Sequence, residues 1–204
     1  CCSNGYAVKM PASIKSCVIT CLPTSRLPTI KAAAPSLAGK VNIGLTNPKS
    51  PANVGAVMRA AGCFCVEAVY YSGRRYDRAA AFNTDTHGAA DHIALEGVEN
   101  LLDSVPAGMA LVCVELAEGA TPLPDFDHPA QAYYLFGPED GTLRQAVIDR
   151  ADAVVFIPSV GCLNLAASVN IVFYDRLAKM PGRGDRNALI RQSRDTNNRI
   201  VVRR

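Results

Sequence analysis

The sequence predicts an α/β fold, a parallel sheet with helices on both faces. Short apolar runs alternate with helical stretches from Val41 onward. The runs are unbroken rather than alternately polar, as strands buried on both faces require. No internal repeat is present, which sets solenoid architectures aside. The 204 residues, 49% hydrophobic and 19% charged, are enough for a real core and too few in charge for a disordered polyelectrolyte. The longest apolar runs fall far short of the roughly 20 residues of a membrane span, so no transmembrane helix and no membrane partner is expected.

The elements follow in order. Residues 41–45 read as a strand. Ser50 then caps a helix with Pro51 in its first turn, running to about Gly62. Residues 66–71 are a strand, and after a long loop 95–104 read as a short helix. Residues 110–116 and 132–136 are strands, 142–150 a helix, 153–157 a strand and 163–179 a long helix. A short strand at 199–203 ends the chain.

Charge divides the chain into three parts. Residues 1–40 hold Lys9, Lys15, Arg26, Lys31 and Lys40 and no acid, and Pro11, Pro23, Pro28 and Pro35 interrupt every candidate helix. This is the composition of an organelle transit peptide, expected to be an unstructured leader. Residues 183–204 carry seven Arg against Asp185 and Asp195, a net of +5. The domain between, 41–182, is left with a net of −7 although the whole chain is at +3. An acidic globule with basic tails suggests a polyanion gripped by the tails, although solvated basic tails are also common. Cysteines that look reduced and the lack of a secretory signal make the cytoplasm the default compartment, with organelle import left open by the leader.

Several common sites are missing. There is no GxxxxGK[ST], no GxGxxG after a strand and no GxSxG, which removes the P-loop, the Rossmann dinucleotide site and the hydrolase elbow. The one CxC, Cys63-Phe64-Cys65, stands apart from His87, His92 and His128. Buried thiols are expected there, and no metal.

Three expected strand ends carry unusual sequence, and in an α/β sheet ligands bind at the carboxyl ends of strands. The first, beyond the loop after the opening strand, runs from Asn53 to Gly62. Gly55, Arg59 and Gly62 fall on one helix face, leaving a bare surface with one guanidinium, fit for a partner helix or a phosphate. The second is Leu135-Phe136-Gly137-Pro138-Glu139-Asp140-Gly141-Thr142, a strand that stops at glycine and turns into a helix, presenting backbone groups to a ligand. The third runs from Ile157 and Pro158 through Cys162, Leu163 and Asn164 into Ala166-Ala167-Ser168, small residues suited to tight packing. Each alone has a plainer reading: a surface Arg with chance glycines, a common turn, an N-cap asparagine.

Together and in this order, the three segments resemble the three motifs of the SpoU/TrmH family of RNA ribose 2′-O-methyltransferases, within the SPOUT superfamily. The resemblance covers roughly residues 41–179. It implies a sheet whose C-terminal segment threads a deep trefoil knot, a homodimer, and S-adenosylmethionine bound in the knot. Asn53 and Arg59 match the polar positions of the first motif, Gly137 and Glu139 the second, and Asn164 the third. Arg59, Asn53, Glu139 and Asn164 are thereby the candidate catalytic residues. Main chain around Glu115, Leu116 and Ala117, around Leu135, Phe136 and Gly137, at Ile157, and at Cys162 and Leu163 is the implied cofactor pocket. The chain departs from the pattern at Cys162, where the family usually has Ser, and in a shortened loop between Pro158 and Leu163.

The implied reaction moves a methyl group to a ribose 2′-oxygen of tRNA or rRNA. A guanidinium, with a pKa above about 12, is a poor base. Arg59 is better suited to pin the adjacent phosphate and stabilise the developing alkoxide. RNA binding is expected at Arg59, at the loop residues Arg74, Arg75 and Arg78 with Tyr76 among them for stacking, and at the tail. Two other readings stay open: a catalytically silent RNA-binding dimer of the same fold, and a superfamily enzyme that methylates a base nitrogen. Removing residues 183–204 is expected to weaken RNA binding and flatten its salt dependence. Titrations at several ionic strengths test this, and an unchanged slope would exclude the tail from the interface.

Overall fold

A computed structural model of the chain describes residues 40–80, 93–181, 185–194 and 197–203. The expected leader, Lys40 apart, lies outside the described residues, as do His87 and His92. Described residues within Pro35–Arg183 form one compact unit, and those of Gly184–Arg204 belong to another.

The first unit is built on strands β1 (Val41–Thr46), β2 (Ala68–Ser72), β3 (Ala94–Val98), β4 (Ala110–Val114), β5 (Thr121–Pro122), β6 (Ala132–Phe136) and β7 (Ala153–Phe156). They form one parallel sheet in the order β3-β2-β1-β6-β4-β7-β5. Its helices are α1 (Pro51–Cys63), α2 (Arg75–Ala80), α3 (Gln145–Ile148) and α4 (Leu165–Lys179). The second unit holds α5 (Arg186–Ser193), where Asp185 accepts from the Asn187 amide at 2.8 Å.

The apolar runs explain the layers. Every residue of β6 is buried. Tyr134 and Phe136 face a core shared with Val54, Val57, Val169, Val172 and Phe173 of α1 and α4. Tyr133 and Leu135 face the opposite core with Leu101, Met109, Leu111 and Leu143. Strand β1 lies beside β6, and Gly44 makes room for Tyr133: a Cβ there would stand 2.5 Å from Tyr133 Cε1. The Tyr133 hydroxyl is fixed by Ser104 Oγ at 2.9 Å, so the ring has little freedom to retreat.

Helix α1 starts where the sequence places it. Ser50 Oγ accepts from the Asn53 amide at 3.3 Å, and Pro51 occupies the first turn. The C-terminal half of α4 is tied to the chain that leads into β6. Buried Arg176 donates to the carbonyls of Pro129 and Ala130, and Lys179 Nζ to those of Leu123 and Phe126. His128 joins Tyr134 Oη at 2.6 Å and Asp175 Oδ2 at 2.9 Å. Burial lowers its pKa, outweighing the opposing effect of Asp175.

The structure corrects several sequence-based expectations. Residues 95–104 are not a helix but β3 followed by a 3-10 turn at Leu101–Ser104. Parallel pairing with β2, from Ala68↔Ala94 to Ser72↔Val98, decides this, and such long-range pairing leaves no local trace. The helix expected over 142–150 shrinks to α3: Arg144 is extended, with φ −69° and ψ 146°, and the Leu143 amide before it bonds Glu115 Oε2 at 2.8 Å. No strand forms at 199–203, where Ile200, Val201 and Val202 are exposed. The expected loop of Arg74–Arg78 enters α2, and Tyr76 is buried edge-on against Tyr71, which removes it as a stacking platform. Cys63 and Cys65 are exposed rather than buried. They end α1 and turn into β2, and Val66 takes the inward position.

No helix among the described residues is long and apolar enough to cross a membrane. Gly44→Ala is expected to destabilise the fold by about 1–3 kcal/mol, the range of an overpacked core. Chemical denaturation measures this, and an unchanged midpoint would mean that Tyr133 yields freely.

Candidate active site

Parallel strands deliver their carboxyl ends to one side of the sheet. Val114 of β4 pairs with Phe136 of β6 and with Val155 of β7, so three strand ends meet in register. Beyond them lies a cleft of about 190 Å³. Its walls come from 114–116, from 136–141 and from 156–168, segments far apart in sequence.

Of the residues expected at a cofactor pocket, Glu115, Leu116, Phe136, Gly137, Ile157, Cys162 and Leu163 line this cleft. Leu135 does not, since strand alternation turns its side chain into the opposite core. Ala117 does not line it either; its amide bonds back to the Glu115 carbonyl at 3.1 Å. The other amides of that segment are also engaged, Glu115 with the Val155 carbonyl and Leu116 with Glu115 Oε1. What 115–117 presents to the cleft is chiefly the Leu116 side chain, 68% exposed.

The carboxylates around the cleft hold the frame together. Glu115 bridges two amides, its own neighbour's at 3.0 Å and that of Leu143 at 2.8 Å. Gly137 lets it do so, because a Cβ at 137 would stand 2.8 Å from Glu115 Oε2. Glu139 Oε1 accepts from the amides of Lys49 and Ser50, each at 3.2 Å. The second motif is thereby fastened to the start of α1. Asp140 takes both guanidinium nitrogens of Arg75, at 2.7 and 2.9 Å. That hydrogen bond holds Asp140 below the usual carboxylate range.

Asn164 caps α4, accepting from the Ala167 amide at 2.7 Å while its carbonyl accepts from Ser168 Oγ at 3.1 Å. It stands between Leu163 and Leu165, both in the cleft wall. Asn53 and Arg59 are elsewhere. Asn53 sits in the first turn of α1, and Arg59 lies exposed about 9 Å further along the axis, at a rise of ~1.5 Å per residue. Neither lines the cleft. Arg74 and Arg78 are exposed at and within the start of α2. The structure therefore gathers the second and third motifs and leaves the polar residues of the first outside.

The cleft also holds residues to which the sequence reading gave no part in a cofactor pocket: Ser159, Gly161 and Ser168, the last assigned there to packing. Ser168 was findable, one helical turn beyond Asn164 and on its face. Ser159 Oγ donates to the Gly161 carbonyl at 2.9 Å, which folds the shortened loop on itself. No group of three or more His, Cys, Asp or Glu side chains suited to a metal occurs among the described residues.

The SpoU rRNA Methylase family model matches residues 40–174. The chain is 30% identical over 160 residues to an uncharacterized tRNA/rRNA methyltransferase of Mycolicibacterium smegmatis. That match takes in 74% of this chain and 49% of the relative, so the chain spans about half its length. The AdoMet-bound rRNA methyltransferase from Sinorhizobium meliloti superposes with a TM-score of 0.55 at 22% identity, over 70% of this chain and 57% of that one. A structure described as giving insights into the 2-OH methylation of C/U34 on tRNA superposes with a TM-score of 0.54 at 24% identity, over 70% of this chain and 92% of that one. With its three motif segments in order and the family match running through α1 to α4, the chain belongs to the SpoU rRNA methylase family.

Proposed function

We propose that the protein is an S-adenosylmethionine-dependent methyltransferase acting on a ribose 2′-hydroxyl of tRNA or rRNA. The observation that carries this is the meeting of 114–116, 136–141 and 156–168 on one cleft at adjacent strand ends. The family and the AdoMet-bound state of a structural neighbour support the cofactor. The neighbour described for 2-OH methylation supports the ribose.

The cleft suits such a ligand in the chemistry of its lining. Leu116, Phe136, Ile157, Leu163 and Leu165 offer apolar surface to a flat base, and the main chain at 137–141 and 161–163 offers polar groups at its edge. When bound, the cofactor supplies an electrophilic methyl group on a sulfonium. Gly137 keeps the floor open, and the Glu115 and Glu139 hydrogen bonds hold the two loops that frame it.

Arg59 brings the substrate. Its guanidinium grips a phosphate beside the target ribose and stabilises the alkoxide as the 2′-proton passes to solvent water. Because Arg59 does not line its own chain's cleft, this reading has a second copy of the chain present it. A homodimer is thus part of the proposal, and the exposed α1 face of Ala52, Gly55, Ala56 and Arg59 supports close approach. Asn53 and Asn164 act by positioning, one at the start of α1 and the other at the start of α4. RNA contacts are assigned to Arg59, Arg74 and Arg78. A C-terminal trefoil knot belongs to the same reading. Its support is the strand order, with β6 inserted between β1 and β4, and the return of 157–165 to the mouth of β4. The domain reading of leader, 41–182 and basic tail is proposed with it. A cytoplasmic setting fits the free thiols of Cys63, Cys65, Cys113 and Cys162.

Incubation with unmodified total RNA and S-adenosylmethionine, followed by nucleoside mass spectrometry, tests the reaction. A 2′-O-methylnucleoside is expected with the native chain. Arg59→Ala is expected to lower its formation by about 10²-fold or more, as loss of an oxyanion-stabilising donor does. Arg59→Lys keeps the charge but loses the fork, so near-normal turnover in it would count against a geometric role. A methylated base would move the protein to another branch of the superfamily. Cofactor binding without product on any RNA would favour a silent RNA-binding dimer.

A further inference from the structure

Arg75 opens α2, and Asp140 lies 65 residues away in the turn after β6. Their contact is bidentate, Nη1 to Oδ1 at 2.7 Å and Nη2 to Oδ2 at 2.9 Å. A forked pair of this kind fixes orientation as well as separation, which a single point charge does not. On the other side of the same turn, Glu139 holds the Lys49 and Ser50 amides. The turn is therefore braced at two points, against the start of α1 and against α2. Gly137, Pro138, Glu139 and Gly141 line the cleft, whereas Asp140 does not.

We propose that Asp140 and Arg75 are a positioning pair for the cofactor cleft: their bidentate contact fixes the turn at 137–141 and so sets cofactor affinity without touching the cofactor. This rests on the function proposed above. It also changes the role of Arg75, which the sequence placed among the RNA contacts. Its fork is occupied by Asp140, so it shapes the site, and exposed Arg74 and Arg78 are left for phosphate. The Arg75 and Asp140 side chains remain 29% and 53% exposed, so salt screens the pair, and cofactor affinity should fall as ionic strength rises.

The test uses the full chain. Calorimetric titration with S-adenosylmethionine gives affinity, and steady-state kinetics on the methylated RNA give kcat and the cofactor KM. Asp140→Asn is expected to weaken cofactor binding about three- to fivefold, the size of effect one exposed ion pair can carry. The cofactor KM should rise in step, with kcat at saturating cofactor and the unfolding midpoint nearly unchanged. The exchange Arg75→Asp with Asp140→Arg should recover most of the lost affinity. RNA affinity of Asp140→Asn should match the native chain; if Arg75 served RNA, releasing it would tighten RNA binding and overturn the assignment. The proposal also fails if Asp140→Asn binds cofactor within twofold of the native chain, or if kcat falls as far as KM rises. It fails too if the exchanged pair recovers nothing while keeping the native unfolding midpoint. A native chain that binds no cofactor would instead overturn the proposed function, and this inference with it.

Discussion

Strand β6 lies between β1 and β4 although β4 precedes it in the chain. Its residues are buried on both faces, with Tyr134 and Phe136 committed to one core and Tyr133 and Leu135 to the other. Its register is fixed by both layers, since a one-residue slip would exchange the two sets of side chains. This insertion aligns the ends of β4, β6 and β7 and creates the cleft. It also brings the turn at 137–141 beside the start of α1 and the start of α2. The adaptation of Gly44 to Tyr133 is a local consequence, because the two strands must lie side by side whatever their side chains.

The acidic residues at the cleft are framework before they are chemistry. Glu115 ties β4 to Leu143, Glu139 ties the second motif to Lys49 and Ser50, and Asp140 ties it to Arg75. Glu115 and Glu139 accept from backbone amides at strand and helix boundaries, which have no ladder or helix partner there, and Asp140 accepts from a side chain. A charge-neutral replacement at these positions removes acceptors that hold the loops around the cleft. The acidic groups of the domain are thus partly engaged in internal hydrogen bonds, while Arg59 of α1 and Arg78 of α2 stay exposed. The polar network of His128, Asp175, Arg176 and Lys179 works in the same way at a distance, fastening α4 to the chain that enters β6.

Much of this was legible in the chain itself. The unbroken apolar runs gave strands close to their observed limits, because burial on both faces leaves a continuous signal. Ser50 with Pro51, and Asn164, marked helix starts through local chemistry that depends on a few neighbouring residues. Glycine at 137, after an apolar run and before an acidic turn, marked a strand end at which a ligand can bind. Cys162 and Leu163 were legible only as part of a motif, and the cleft gathers them with Glu115 and Ile157.

What stayed hidden had nonlocal causes. Strand β3 exists because β2 offers it a ladder, and its own residues read equally well as a helix. Thr142 and Leu143 stay out of the helix, with Arg144 extended after them and the Leu143 amide turned to Glu115, just beyond β4. Tyr76 is buried and Arg75 is paired for reasons that lie in β2 and in the turn after β6, so neither fate could be seen among the basic residues around them. Arg59 stands exposed off the cleft, a placement that its own sequence neighbourhood does not reveal. The sequence by itself determined the fold class, the helix starts and two of the segments that line the cleft, since propensity, capping and apolar patterning are local. Only the tertiary structure decided which strands pair, which carboxylates brace which loops and which charged groups remain exposed, since those depend on partners tens of residues away.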